Sequence, residues 1–116
     1  MNWVFLHVIG AFAVVMSLAS ICWHVIVGGR RQFEGRRWMM LTHGIGLMAV
    51  LVSGLALAMK FTDGMPAFIY VKLLIWLMLG GIAFFIFRFP HRAKIWWWTV
   101  WGLASIAAYL GAAFLR

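Results

Sequence analysis

The sequence predicts an all-α fold, an integral membrane four-helix up-and-down bundle. Three observations predict it. Of the 116 residues, 66% are hydrophobic and only 10% are charged, more apolar surface than a soluble domain of this size can hide. The apolar residues gather into four segments, 3–27, 39–59, 67–87 and 95–115, each reaching the ~20 residues needed to cross about 30 Å of hydrocarbon. The connections between them are short, and short connections between long helices force consecutive helices to run antiparallel. A single transmembrane domain, 1–116, accounts for the chain.

The first span opens on Met1-Asn2-Trp3. It lacks the basic n-region of a signal peptide and is too long for a signal h-region, so it is expected to stay in the mature protein. "FAVVMSLASI" in span one and "LMAVLVSGLALAM" in span two are continuously apolar. Strands of a transmembrane barrel would alternate instead. Glycines recur within the spans, among them Gly10, Gly46, Gly80 and Gly111. In water they would weaken long helices; in a membrane they allow close helix–helix approach. Span three contains "FIYVKLLIWL", with Lys72 inside the apolar run, and span four opens beside the triplet Trp96-Trp97-Trp98. Such aromatics read as an interfacial belt together with Trp38, with Trp3 and Tyr109 at the opposite interface.

The net charge of +8 is not the footprint of a nucleic-acid binder. Its distribution is that of a topology signal. Arg30, Arg31, Arg36 and Arg37 sit in or beside loop one, and Arg88, Arg92 and Lys94 in or beside loop three, whereas the opposite side carries Lys60 and Arg116. The positive-inside rule places loops one and three in the cytoplasm, against anionic lipid headgroups, and both termini on the outer, periplasmic side of a bacterial inner membrane. The single cysteine, Cys22, excludes an internal disulfide and covalent c-type haem attachment.

Polar residues within spans are the candidate functional groups. Span one and span three both run inward. His7 and Lys72 each lie about five residues in, roughly 7 Å at 1.5 Å per residue, so the bundle can bring them to one level. There they can hold an anion or a metal-centred cofactor. The alternative for Lys72 is an outer anchor that snorkels. A second level lies near the cytoplasm, where His24 at the end of span one and His43 at the start of span two flank loop one. Facing imidazoles are the simplest ligands for a b-type haem in a membrane bundle, and Arg36 and Arg37 are placed to pair with its propionates. His7, His24 and His43 are therefore the candidate metal ligands. His91 reads as surface, and Ser17, Ser20, Ser53 and Ser105 as helix–helix hydrogen bonding. No carboxylate lies within a span, which counts against a carrier that works through a buried acid. No phosphate loop or zinc-protease motif occurs.

Leu6-His7, Val71-Lys72-Leu73-Leu74 and the segment "LTHGIGLMAVLVSGLAL" (Leu41 to Leu57) resemble a loose group of small bacterial membrane proteins. The group comprises the HemJ-type protoporphyrinogen oxidases, the CopD-like copper-resistance domains and the SirB-like proteins. The resemblance implies haem-linked redox chemistry. In the HemJ-type enzymes a span-one histidine and a span-three lysine are needed, and these correspond to His7 and Lys72. The SirB-like pattern matches the length and the histidine of span two.

The expected function is a small membrane protein that binds b-type haem or a porphyrin, in electron transfer or haem metabolism, with a quinone as a further candidate ligand. The alternative is a noncatalytic or assembly subunit of a larger membrane complex, or a homo-oligomer. Phe84, Phe85 and Trp101 would then face lipid, and Gly80, Gly81, Ala104, Ala107 and Ala108 would serve helix packing with partners. Copper or small-solute handling is a second alternative, invited by eight methionines; none forms a Met-x-x-Met or Met-x-x-x-Met set in the outer leaflet, and Met39 and Met40 are adjacent and point apart.

Overall fold

The structure, a computed structural model, describes residues 2–30, 33–61 and 67–114. Expectations that rest on Arg31, on Asp63 and its neighbours in loop two, and on Arg116 lie outside the described residues. The described residues form four helices and no strand: α1 (Trp3–Ile26), α2 (Arg36–Phe61), α3 (Ala67–Arg88) and α4 (Ala93–Phe114), with a 3-10 turn (Pro90–Arg92) before α4.

Local chemistry sets the helix ends. Asn2 caps α1, its side-chain oxygen accepting from the Phe5 N–H at 3.0 Å. At the other end of α1, Gly28 N–H donates to Val25 C=O and Gly29 N–H to His24 C=O. This is the paired 5→2 and 6→1 closure of a Schellman motif, and Gly28 supplies its left-handed residue at φ +90°. Gly35, also at φ +90°, turns the chain into α2. That helix starts three residues ahead of the expected boundary, because Arg36 and Arg37 are good helix formers and a helix need not stop at the edge of the hydrocarbon. Pro90 opens the 3-10 turn, and the Arg92 N–H reaches Phe89 C=O.

Three of the four helices, α1, α2 and α3, are long and apolar enough to cross a membrane. α4 has 22 residues, but its four tryptophans, Tyr109 and hydroxyl side chains make it less apolar. The molecule measures 47 Å along its long axis, close to the roughly 40–45 Å of a bilayer with its headgroups.

Successive helices are antiparallel. α1 meets α2 where Gly10 and Ala13 face Gly46. α2 meets α3 where the Trp76 indole N–H donates to Leu47 C=O at 2.8 Å. α3 meets α4 where Lys72 reaches Gly111 and Phe85 contacts Trp96. α1 has its most extensive contact with α2 and also touches α3 and α4, whereas the backbones of α2 and α4 stay apart. The closest approach is a glycine crossing. A methyl group added at Gly46 would lie 2.9 Å from the Gly10 carbonyl oxygen, and one added at Gly10 would lie 3.0 Å from the Gly46 carbonyl oxygen.

The two halves of the bundle differ. The half nearest loops one and three is a packed apolar core, built around Leu18, Ile21, Val25, Ile82, Ile86 and Val100. The other half, which carries both termini, is lined on α4 by alanine and glycine, and there the helices leave a cavity.

Candidate functional site: a cavity holding His7 and Lys72

The cavity has a volume of about 670 Å³, within the ~300–1,000 Å³ of small-molecule sites. All four helices line it. Its base is at the level of Val15, Leu47, Leu79 and Ala104, and it extends to Val4 and Ala112 at the terminal end. The wall is apolar, mostly aliphatic with the aromatic Phe12 and Trp76, apart from His7 on α1 and Lys72 on α3. Small residues create the space. Ala104, Ala107, Ala108, Gly111 and Ala112 present little side chain from α4, and Gly54 from α2 lies against the His7 ring.

His7 is fastened to α2. Its Nδ1 lies 3.1 Å from the Ser53 hydroxyl oxygen. Ser53 is fully buried, and its own proton is directed back along α2 to the Ala49 carbonyl. The glycine crossing one turn away brings the helices close enough for this bond. Lys72 crosses toward α4: a methyl group added at Gly111 would lie 3.1 Å from its Nζ. Gly111 thus leaves room for the ammonium beside the last turn of α4, the negative end of that helix's dipole. His7 and Lys72 line the same cavity from α1 and α3. The depth match expected from their sequence positions therefore corresponds to one shared cavity.

The inner histidines have different surroundings. His24 donates from Nε2 to Arg30 C=O at 2.8 Å and stacks on Phe33 at 3.6 Å. Phe33 continues to Phe87, and the Arg36 guanidinium lies over Phe87 at 5.7 Å. This ladder ties loop one to the ends of α1, α2 and α3, and no side chain would fit at Gly29 against the His24 ring. Arg37 is exposed. His43 is 3% exposed, lies beside Gly80 of α3, and neither ring nitrogen has a hydrogen-bond partner among the described residues. Neither His24 nor His43 lines the cavity. No cluster of three or more His, Cys, Asp or Glu side chains arranged for a metal ion occurs among the described residues. That concerns a protein-only ion site, since a porphyrin supplies its own equatorial ligands.

Other side chains divide between lipid and interior. Phe84, Phe85 and Trp101 are exposed on the bundle surface. Trp97 and Trp98 point outward, whereas Trp96 packs against the core with its indole N–H buried and without a hydrogen-bond partner among the described residues. Of the small residues considered for partner packing, Ala104, Ala107 and Ala108 line the cavity, Gly80 faces Leu47, and Gly81 faces open space. The sequence treats Ser53 as one of four interchangeable serines. Its place seven residues beyond Gly46, two turns along α2, was the available signal that it shares the face that meets α1.

No protein-family model, curated protein or solved structure matches the chain.

Proposed function

We propose that this chain is a four-span protein of the bacterial cytoplasmic membrane that binds a b-type haem or a free porphyrin in the cavity between its helices. The observation that carries this proposal is the convergence of His7 and Lys72 on one otherwise apolar cavity. An apolar wall with a few placed polar groups suits a large flat ligand with a polar edge. The donor set fits such a ligand. His7 offers one imidazole nitrogen while the other is held by Ser53, the arrangement that orients metal-ligating histidines. Lys72 offers a cation to a propionate or other anionic edge. The four-span topology, with loops one and three cytoplasmic, is part of the proposal and rests on the distribution of basic residues and on α4 being antiparallel to α3.

When bound, a haem would supply one-electron redox chemistry. The protein's share is narrower. The apolar walls would limit water around the ligand, His7 would orient it, and Lys72 would compensate its negative charge. Lys72 also benefits: an ammonium beside an imidazole in hydrocarbon is unfavourable until an anion or backbone carbonyls compensate it.

The test is haem content per protein in purified, cofactor-saturated samples, measured for the wild type and for His7→Ala, Lys72→Met and Lys72→Arg at equal membrane levels. The proposal expects a reduced b-type absorption band in the wild type, its loss in His7→Ala and Lys72→Met, and a weakened band in Lys72→Arg, because a guanidinium differs in reach and donor geometry. Absence of the band from the wild type, or equal bands in all four proteins, would refute it.

A further inference from the structure

We infer that Ser53 holds His7 as its Nδ1–H tautomer, leaving a bare Nε2 lone pair on a ring that lines the cavity shared with Lys72. The site is then built for a ligand that presents an electron-pair acceptor to His7 and an anionic edge to Lys72. The identity of that ligand rests on the haem or porphyrin proposal; the tautomer does not.

The inference follows from counting protons. A serine hydroxyl has one proton and two lone pairs. The Ser53 proton is directed to the α2 carbonyls, Ala49 C=O first and Val50 C=O at 3.3 Å. Toward His7 the hydroxyl therefore has only a lone pair to offer. A contact of 3.1 Å between Ser53 Oγ and His7 Nδ1 then requires the proton on Nδ1. A neutral imidazole protonated at Nδ1 carries its lone pair on Nε2. The site thus combines a neutral donor of an electron pair with a fixed cation, and its best ligand is a metal centre with an anionic margin.

Ser53 acts here through His7, as a positioning residue. Its signature is the tautomer itself, which a purely structural serine would not control. Nitrogen-15 spectra of histidine-labelled, ligand-free protein in nanodiscs, at mildly alkaline pH, distinguish a protonated Nδ1 from a protonated Nε2. The wild type is expected to show His7 protonated at Nδ1; predominance of the Nε2–H form overturns the inference. In Ser53→Ala, checked for unchanged helical content, part of the His7 population is expected to move to the Nε2–H form. Haemin affinity is expected to fall about tenfold, the lower end of the effect of losing an outer-shell partner. An unchanged tautomer in that variant removes Ser53 from the role, and unchanged haemin affinity removes Nε2 as the ligating atom. If the wild type binds no haemin, the functional proposal fails while the ligand-free spectra still decide the tautomer.

Discussion

His43 and His7 show how much a histidine's meaning depends on what its nitrogens touch. Both lie in apolar helices, yet His7 has Ser53 and His43 has no hydrogen-bond partner among the described residues. A buried polar group left unpaired costs about 1–3 kcal/mol. Replacing His43 with leucine is therefore expected to raise resistance to denaturant-induced unfolding in micelles, by about 1 kcal/mol. Under the haem proposal, haem content should be unchanged, since His43 is not on the cavity wall. A loss of haem in His43→Leu would move the cofactor to the inner level. His24 is different again. Its bond to Arg30 C=O and its stack on Phe33 organise loop one. Gly29→Ala, which puts a methyl group into the His24 ring, is expected to detach the loop. Limited proteolysis after the loop-one arginines should show this as faster cleavage than in the wild type; equal cleavage rates would mean that the clasp does not restrain the loop.

Among the elements, the α1–α2 pair is the one on which the site depends. Gly10 and Gly46 meet backbone to backbone, where no flexible side chain can yield. Overpacking typically costs about 1–3 kcal/mol, and Gly46→Ala is expected to fall in that range by the same unfolding measurement. It should also weaken haem retention by separating His7 from Ser53. Gly44→Ala is the control, because a methyl group there meets nothing within 4 Å; equal effects of the two substitutions would show that the close crossing is not what matters. The pair also shows what a sequence discloses. The recurrence of glycine in the spans announced close approach, but which glycines meet which partner is set by helix rotation. Continuously apolar helices have no strong polar face to fix that rotation.

For the whole molecule, the number, order and near-boundaries of the helices were legible because hydrocarbon thickness and loop length leave few alternatives. The level shared by His7 and Lys72 was legible for the same reason, since depth is counted from the span ends. The cavity was not. It arises from five small residues on one half of α4 facing three other helices, and only the assembled bundle shows that this half leaves a cavity beside the small cluster of Ala58, Ile69, Leu73 and Leu110, while the other half is filled. The orientation in the membrane is a further expectation at this scale. With Cys22→Ala as background, Glu34→Cys is expected to react with a membrane-impermeant thiol reagent only from the cytoplasmic side, and Asp63→Cys only from the periplasmic side. Labelling of position 34 in intact cells would invert the topology.

The packed core beneath the cavity makes the site a blind pocket. Leu18, Ile21 and Ile86 are completely or almost completely buried and occupy the route that a molecule would need to continue through the bundle. The cavity reaches the surface elsewhere: Val4, Val8, Phe12 and Leu55 line it and are exposed on the outside of the bundle. A guest of the proposed kind would find no through-route between the two ends of the bundle in this conformation.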